Sequence, residues 1–162
     1  MDVYNAIKTR RSIRKYTSRP VEDEKINKLL ESARLAPSAK NLQNWNFILV
    51  KEPEKLRKLA IACNNQMFIA SASIVIAGIA DPKRKWYQLD MGIAFDHIDL
   101  QATEIGLGAC WIGAFNESKV SQILNVPDNL ETVILITIGY PDESPNPRPR
   151  KNIEEIVISE GF

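Results

Sequence analysis

Apolar residues recur along this chain with two periods, and the switches between them mark out its elements. Val3, Ala6 and Ile7 form a short helical stripe behind Asp2, a natural N-cap, so the pattern predicts a helix over residues 2–11. A second stripe, Ile26, Leu29, Leu30 and Ala33, is expected to open at Pro20 and to stop at Pro37. Pro53 and Glu54 start a third helix with Leu56, Leu59 and Ala60 inward. The longest stripe lies at 87–105, where Met91, Ala94, Phe95, Ile98, Ala102 and Ile105 share a face and Gly106 supplies the C-terminal cap. One more helix is expected from Ser118 to Leu124. Between the helices run β-rich stretches: WNFILV (45–50), SIVIAGIA (73–80), the short ACWIGAF (109–115) and TVILITIGY (132–140). The second of these is apolar throughout, which marks a strand buried on both faces.

Helices and strands do not alternate regularly, so the pattern predicts an α+β sandwich in preference to a doubly wound sheet. No internal repeat or second domain is visible, and residues 1–162 are read as one domain. Four prolines within 141–149 exclude helix and sheet interior there and predict an extended arm. IEEIVI (153–158) then forms a last short helix or an edge strand.

Composition narrows the chemistry. A chain of 162 residues with 44% hydrophobic residues and a net charge of +1 can bury its own core, and lacks the basic excess of most nucleic-acid binders. Cys63 and Cys110 lie far apart outside any metal or redox spacing, which suits two small buried residues in a reducing compartment. With no apolar run of membrane-spanning length and no signal-peptide core at the start, the chain is read as cytoplasmic, without a membrane partner. His97 is the only histidine, which excludes a multi-histidine metal site and argues against a serine or cysteine triad. No side chain stands out as catalytic, so the chemistry is assigned to a bound cofactor.

Within this balanced chain the segment TRRSIRKYTSRP (9–20) concentrates Arg10, Arg11, Arg14, Lys15 and Arg19, with Ser12 set among them. Arginine offers a planar fork of donors that fits phosphate oxygens, and a serine hydroxyl adds another; the plainer reading is a solvated helix end. Arg148 and Arg150, one proline apart in the arm, point the same way if it is extended. The two groups together could converge on one phosphate of roughly −1.5 to −2 charge. The glycines at 106, 108 and 113 fail as a dinucleotide fingerprint, because the third required position is Trp111 and the cluster follows a helix. APSAKNLQNW (36–45) sets Asn41 and Gln43 in a loop beside an aromatic residue, suited to the edge of a flat heterocycle or simply a polar connection.

Four stretches now stand in order: RRSIRKY (10–16), APSAKNLQNWNF (36–47), GLGACWIGAF (106–115) and PRPRKNIEEIV (147–157). Together they resemble the FMN-dependent nitroreductase family in its short single-domain form, over nearly the whole chain. The resemblance implies a nitroreductase-like sandwich, a mixed and mostly antiparallel sheet flanked by helices, in an intertwined homodimer with FMN at the interface. It implies that Arg10, Arg11, Ser12 and Arg14 hold the flavin phosphate, ribityl chain and pyrimidine edge, and that Arg148 and Arg150 close on the phosphate. Pro37, Ser38 and Asn41 match the loop laid along the isoalloxazine by the partner chain. Ile112 and Gly113 match the segment whose backbone N–H approaches flavin N5, and a further contact falls near 64–66. The family loop commonly reads N-x-Q-P-W; here Asn44 replaces the proline, which implies a less rigid loop. The implied activity is ping-pong reduction of nitroaromatic, quinone or related small acceptors by NAD(P)H through FMN. The rival readings are a specialised enzyme of the same fold, of dehalogenase or flavin-breakdown type, and a non-enzymatic module binding nucleic acid or another anion.

Overall fold

The computed structural model describes residues 1–161. Its centre is a four-stranded sheet in the order β1-β2-β4-β3, where β1 is Asn46–Val50, β2 Ile74–Ala80, β3 Gly108–Ile112 and β4 Glu131–Gly139. All three ladders are antiparallel, and the one parallel pairing among the described residues is an isolated bridge from Ser12 to Ala109 beside β3. The sheet is thus mostly antiparallel, as the resemblance implied.

β2 and β4 are central, β2 buried on both faces throughout and β4 from Leu135 onward, and their alternating side chains build two cores. Ile74, Ile76, Ile136 and Ile138 face α2 (Asp23–Arg34) and α4 (Tyr87–Glu104), meeting Leu29, Ala33, Phe95 and Ile98. Val75, Ala77, Ile79 and Leu135 face the other way, toward Leu56 and Leu59 of α3 (Pro53–Ala62) and Val120 of α5 (Glu117–Leu124). The C-terminus of α4 closes on Gly106 at φ +77, where Leu107 N–H reaches the Ala102 carbonyl at 2.8 Å.

Two boundaries differ from the sequence reading. The first helix, α1, is only Val3–Thr9. α2 begins at Asp23 instead of Pro20: the Val21 N–H is anchored on the Ser73 hydroxyl at 2.8 Å, Glu22 is still extended, and Asp23 and Glu24 then occupy the first turn, where negative charge suits the helix dipole. The final segment forms one 3₁₀ turn, Ile153–Glu155, closed by a reciprocal cap between Asn152 and Glu155. No described helix is long and apolar enough to cross a membrane.

Candidate functional site

The basic residues from the two ends of the chain meet. Arg10, Arg11, Ser12, Arg14, Arg148 and Arg150 line one open cavity of about 950 Å³, together with Lys8, Asp96, Glu143 and apolar residues of α1 and the arm. Six cationic side chains therefore face two carboxylates. Arg19 is not among them: it pairs with Glu22 at 2.6 Å and lies over the Tyr140 ring. Glu22, which also accepts from the Tyr140 hydroxyl, is held down at about 2 by that bond, its own backbone N–H and Arg19.

Local structure explains the convergence. α1 stops after seven residues, so Arg10 leaves the helix in an extended conformation at its cap. The next residues then run alongside β3, with Ile13 N–H on the Ala109 carbonyl at 2.9 Å. Ile13 and Tyr16 are buried, and the Tyr16 hydroxyl donates to the Ile13 carbonyl at 2.6 Å and meets Thr137 Oγ1 at 2.7 Å; burial raises this phenol far above its ordinary value. The proline-rich arm is pulled back across the same segment. Pro141 bridges to Tyr16, Asp142 N–H reaches the Lys15 carbonyl at 2.9 Å, and the Glu143 carboxylate accepts from the N–H groups of Arg14 and Lys15.

Within the cavity Arg11 folds onto the carbonyls of Lys8 and Arg10 at 3.0 and 2.8 Å, and Arg150 onto those of Arg148 and Pro149, both at 3.2 Å. Arg14 lies over the Phe68 ring at 5.9 Å. Arg10 is braced from behind, its Nε 3.2 Å from Oδ2 of Asp99, a carboxylate only 4% exposed. Burial pushes the Asp99 carboxyl up and Arg10 opposes that shift. This donor set suits a polyanion, because arginine forks match phosphate oxygens.

The remaining sequence candidates lie elsewhere in the chain. Pro37 and Ser38 line a separate shallow hollow of about 290 Å³ with Trp86, Leu89 and Ile93. Asn41 is exposed in the same loop, where Lys40, Asn41 and Gln43 all take left-handed φ of 50–54. The loop is braced by two bonds, the Ser38 hydroxyl accepting from Gln43 N–H at 3.0 Å and Asp90 of α4 accepting from Ala39 N–H at 3.1 Å. Ile112 is buried at the end of β3. Gly113 beyond it is exposed, and a Cβ there would meet nothing within 4 Å. Gln66 donates to the carbonyls of Cys63 and Ala114, both at 2.9 Å, and so ties the 63–66 turn to the segment after Gly113.

Glu143, Phe68 and Asp99 are parts of the basic cavity or its support that sequence reasoning missed. Only Asp99 left a signal, as a carboxylate set beside the apolar stripe of α4. His97 does not line the cavity: it lines the groove between α1, α2 and α4, with Nδ1 3.2 Å from the Ser32 carbonyl. Among the described residues no group of three or more His, Cys, Asp or Glu is placed to hold a metal ion.

Comparison with known proteins bears on the same architecture. The model of the nitroreductase family matches residues 7–81 and 63–140. A relative from Archaeoglobus fulgidus, provisionally named NADH dehydrogenase/NAD(P)H nitroreductase, is 37% identical over 146 residues, covering 85% of this chain and 84% of that protein. The NADPH-flavin oxidoreductase of Vibrio harveyi is 29% identical over 165 residues, covering 91% of this chain and 69% of that protein. Among solved structures, an FMN-dependent nitroreductase from Clostridium difficile superposes with a TM-score of 0.87 at 35% identity, covering 98% of this chain and 99% of that one.

Proposed function

The chain belongs to the nitroreductase family, and on that premise we propose that it is an NAD(P)H-dependent FMN oxidoreductase that reduces nitroaromatic, quinone or related small acceptors. The observation that carries this reading is the convergence of Arg10, Arg11, Ser12 and Arg14 with Arg148 and Arg150 on one cavity. That donor set fits FMN: the arginines match a phosphate of roughly −1.5 to −2 charge, and about 950 Å³ leaves room for more than a phosphate.

Bound FMN supplies hydride acceptance and onward electron transfer; the protein supplies binding, orientation and field. Arg148 and Arg150 would hold the phosphate from the arm, and Arg10 and Arg11 from the segment after α1. Positive charge from Arg14 favours negative charge developing on the ring system. Gly113 carries no side chain to cover its backbone, which leaves its N–H open to a ring nitrogen. One site serving both donor and acceptor in turn would give ping-pong kinetics.

A homodimer is part of this reading. Pro37, Ser38 and Asn41 stand apart from the basic cavity of their own chain, so they serve a flavin as a partner's contribution. Val3, Tyr4 and Ile7 on α1, with Ile153, Ile156, Val157 and Ile158 near the C-terminus, are exposed apolar residues that such an interface would cover. A reducing cytoplasmic setting suits two free, buried cysteines.

The test is steady-state oxidation of NADH and NADPH by FMN-loaded protein, with a quinone and a nitroaromatic as alternative acceptors. Saturable turnover with parallel double-reciprocal lines is expected. A flavin-loaded protein that oxidises neither donor in the presence of either acceptor contradicts the proposal.

A further inference from the structure

Asp99 sits on α4, and both its partners come from other elements. Its Oδ2 accepts the indole N–H of Trp111, on β3, at 2.9 Å and lies 3.2 Å from Nε of Arg10. Its Oδ1 is buried with no hydrogen-bond partner among the described residues. The Arg10 Nε contact is an ion pair without hydrogen-bond alignment, since the same nitrogen is also buried and unbonded. Trp111 is itself fixed edge-on against Phe95, with ring centroids 6.0 Å apart. A continuous line of contacts, Phe95 to Trp111 to Asp99 to Arg10, therefore runs from the core to the floor of the basic cavity.

This arrangement matters because α1 holds only the backbone of Arg10, whose N–H reaches the Ala6 carbonyl at 2.9 Å, and leaves its side chain to other elements. The residue follows the last turn of a seven-residue helix, and its side chain makes no other ion pair among the described residues. A buried carboxylate is unfavourable without partners, and here its charge is matched to one cation that also lines the cavity.

We propose that Asp99, held by Trp111, is a positioning residue that aims the Arg10 guanidinium into the phosphate end of the FMN site; the proposal rests on the flavin reading above. It predicts an effect opposite in sign to simple electrostatics. Removing a negative charge beside an anion site raises the local potential and would tighten anion binding. Losing the brace frees Arg10 to leave the cavity and weakens it.

The experiment measures dissociation constants of the apoprotein for FMN and for riboflavin, which lacks the phosphate, by flavin fluorescence. The proteins are wild type, Asp99→Asn, Trp111→Phe, Arg10→Ala and the Asp99→Asn/Arg10→Ala double variant. Asp99→Asn is expected to weaken FMN roughly tenfold, to leave riboflavin binding nearly unchanged, and to add nothing once Arg10 is alanine. Trp111→Phe, which keeps an aromatic ring but loses the pyrrole portion and its N–H, shifts FMN binding in the same direction by less, and keeps the test open if Asp99→Asn folds poorly. Unchanged or tighter FMN binding in both variants overturns the proposal, as does a loss shared equally by riboflavin or persisting in the Arg10→Ala background. Wild-type protein that binds neither flavin overturns the flavin reading itself, and this proposal with it.

Discussion

At the scale of single residues, the arginines of the cavity divide by what holds them. Arg10 is braced by Asp99, whereas Arg14 and Arg150 reach the cavity as exposed side chains anchored through their backbone neighbours. Arg14→Ala and Arg150→Ala are each expected to weaken FMN binding by about 1.5–3 kcal/mol, the range for hydrogen bonds to a charged group. Equilibrium titration of the apoproteins checks this, and wild-type affinity in both would make these arginines mere surface. His97 lies in another groove against the Ser32 carbonyl. His97→Gln should therefore keep NAD(P)H oxidation per bound flavin within a few fold; abolished turnover in flavin-loaded protein would mean that an acid–base role exists there.

At the scale of elements, the glycines before and within β3 have different tasks. Gly106 has φ +77 and nothing within 4 Å of an added Cβ, so Gly106→Ala should cost only the left-handed conformation, about 1–2 kcal/mol, and leave FMN affinity alone. A Cβ on Gly108 would stand 2.7 Å from Ile13. Gly108→Ala should cost about 1–3 kcal/mol by overpacking and also weaken FMN binding, because Ile13 anchors the segment that carries Ser12 and Arg14. Urea denaturation paired with flavin titration separates the two effects. The strands and the four long helices were legible because their apolar periods are long and unbroken, as in Met91 to Ala102 of α4. The start of α2 was not, because Val21 is tied to Ser73, far off in sequence, and the chain stays extended through Glu22 before the helix opens. The cavity was legible as two basic groups, but what brings them together was not: the Glu143 and Pro141 contacts with residues 14–16 leave no periodic trace.

At the scale of the molecule, two cores flank one sheet, and the site lies along its β3 edge. Cys63 is fully buried in the core under α3 and α5, and burial pushes its thiol up to about 11 from an ordinary 9.0. The folded state then keeps a proton that the unfolded state releases. The resulting stabilisation is complete below pH 9 and is lost as the pH rises toward 11, by at most about 3 kcal/mol. Urea midpoints across that interval should fall, and Cys63→Ala should flatten the decline; an equally steep fall in the variant would assign it to other groups.

The central claim is that the basic cavity holds FMN for electron transfer from a nicotinamide donor. Anaerobic titration of the FMN-loaded protein with NADH and NADPH, followed at the visible flavin absorbance, tests it most directly. The account predicts that one equivalent of at least one donor per bound flavin bleaches the band, and that a quinone then restores it. Protein that takes up no FMN, or whose bound FMN stays oxidised with both donors, would contradict it.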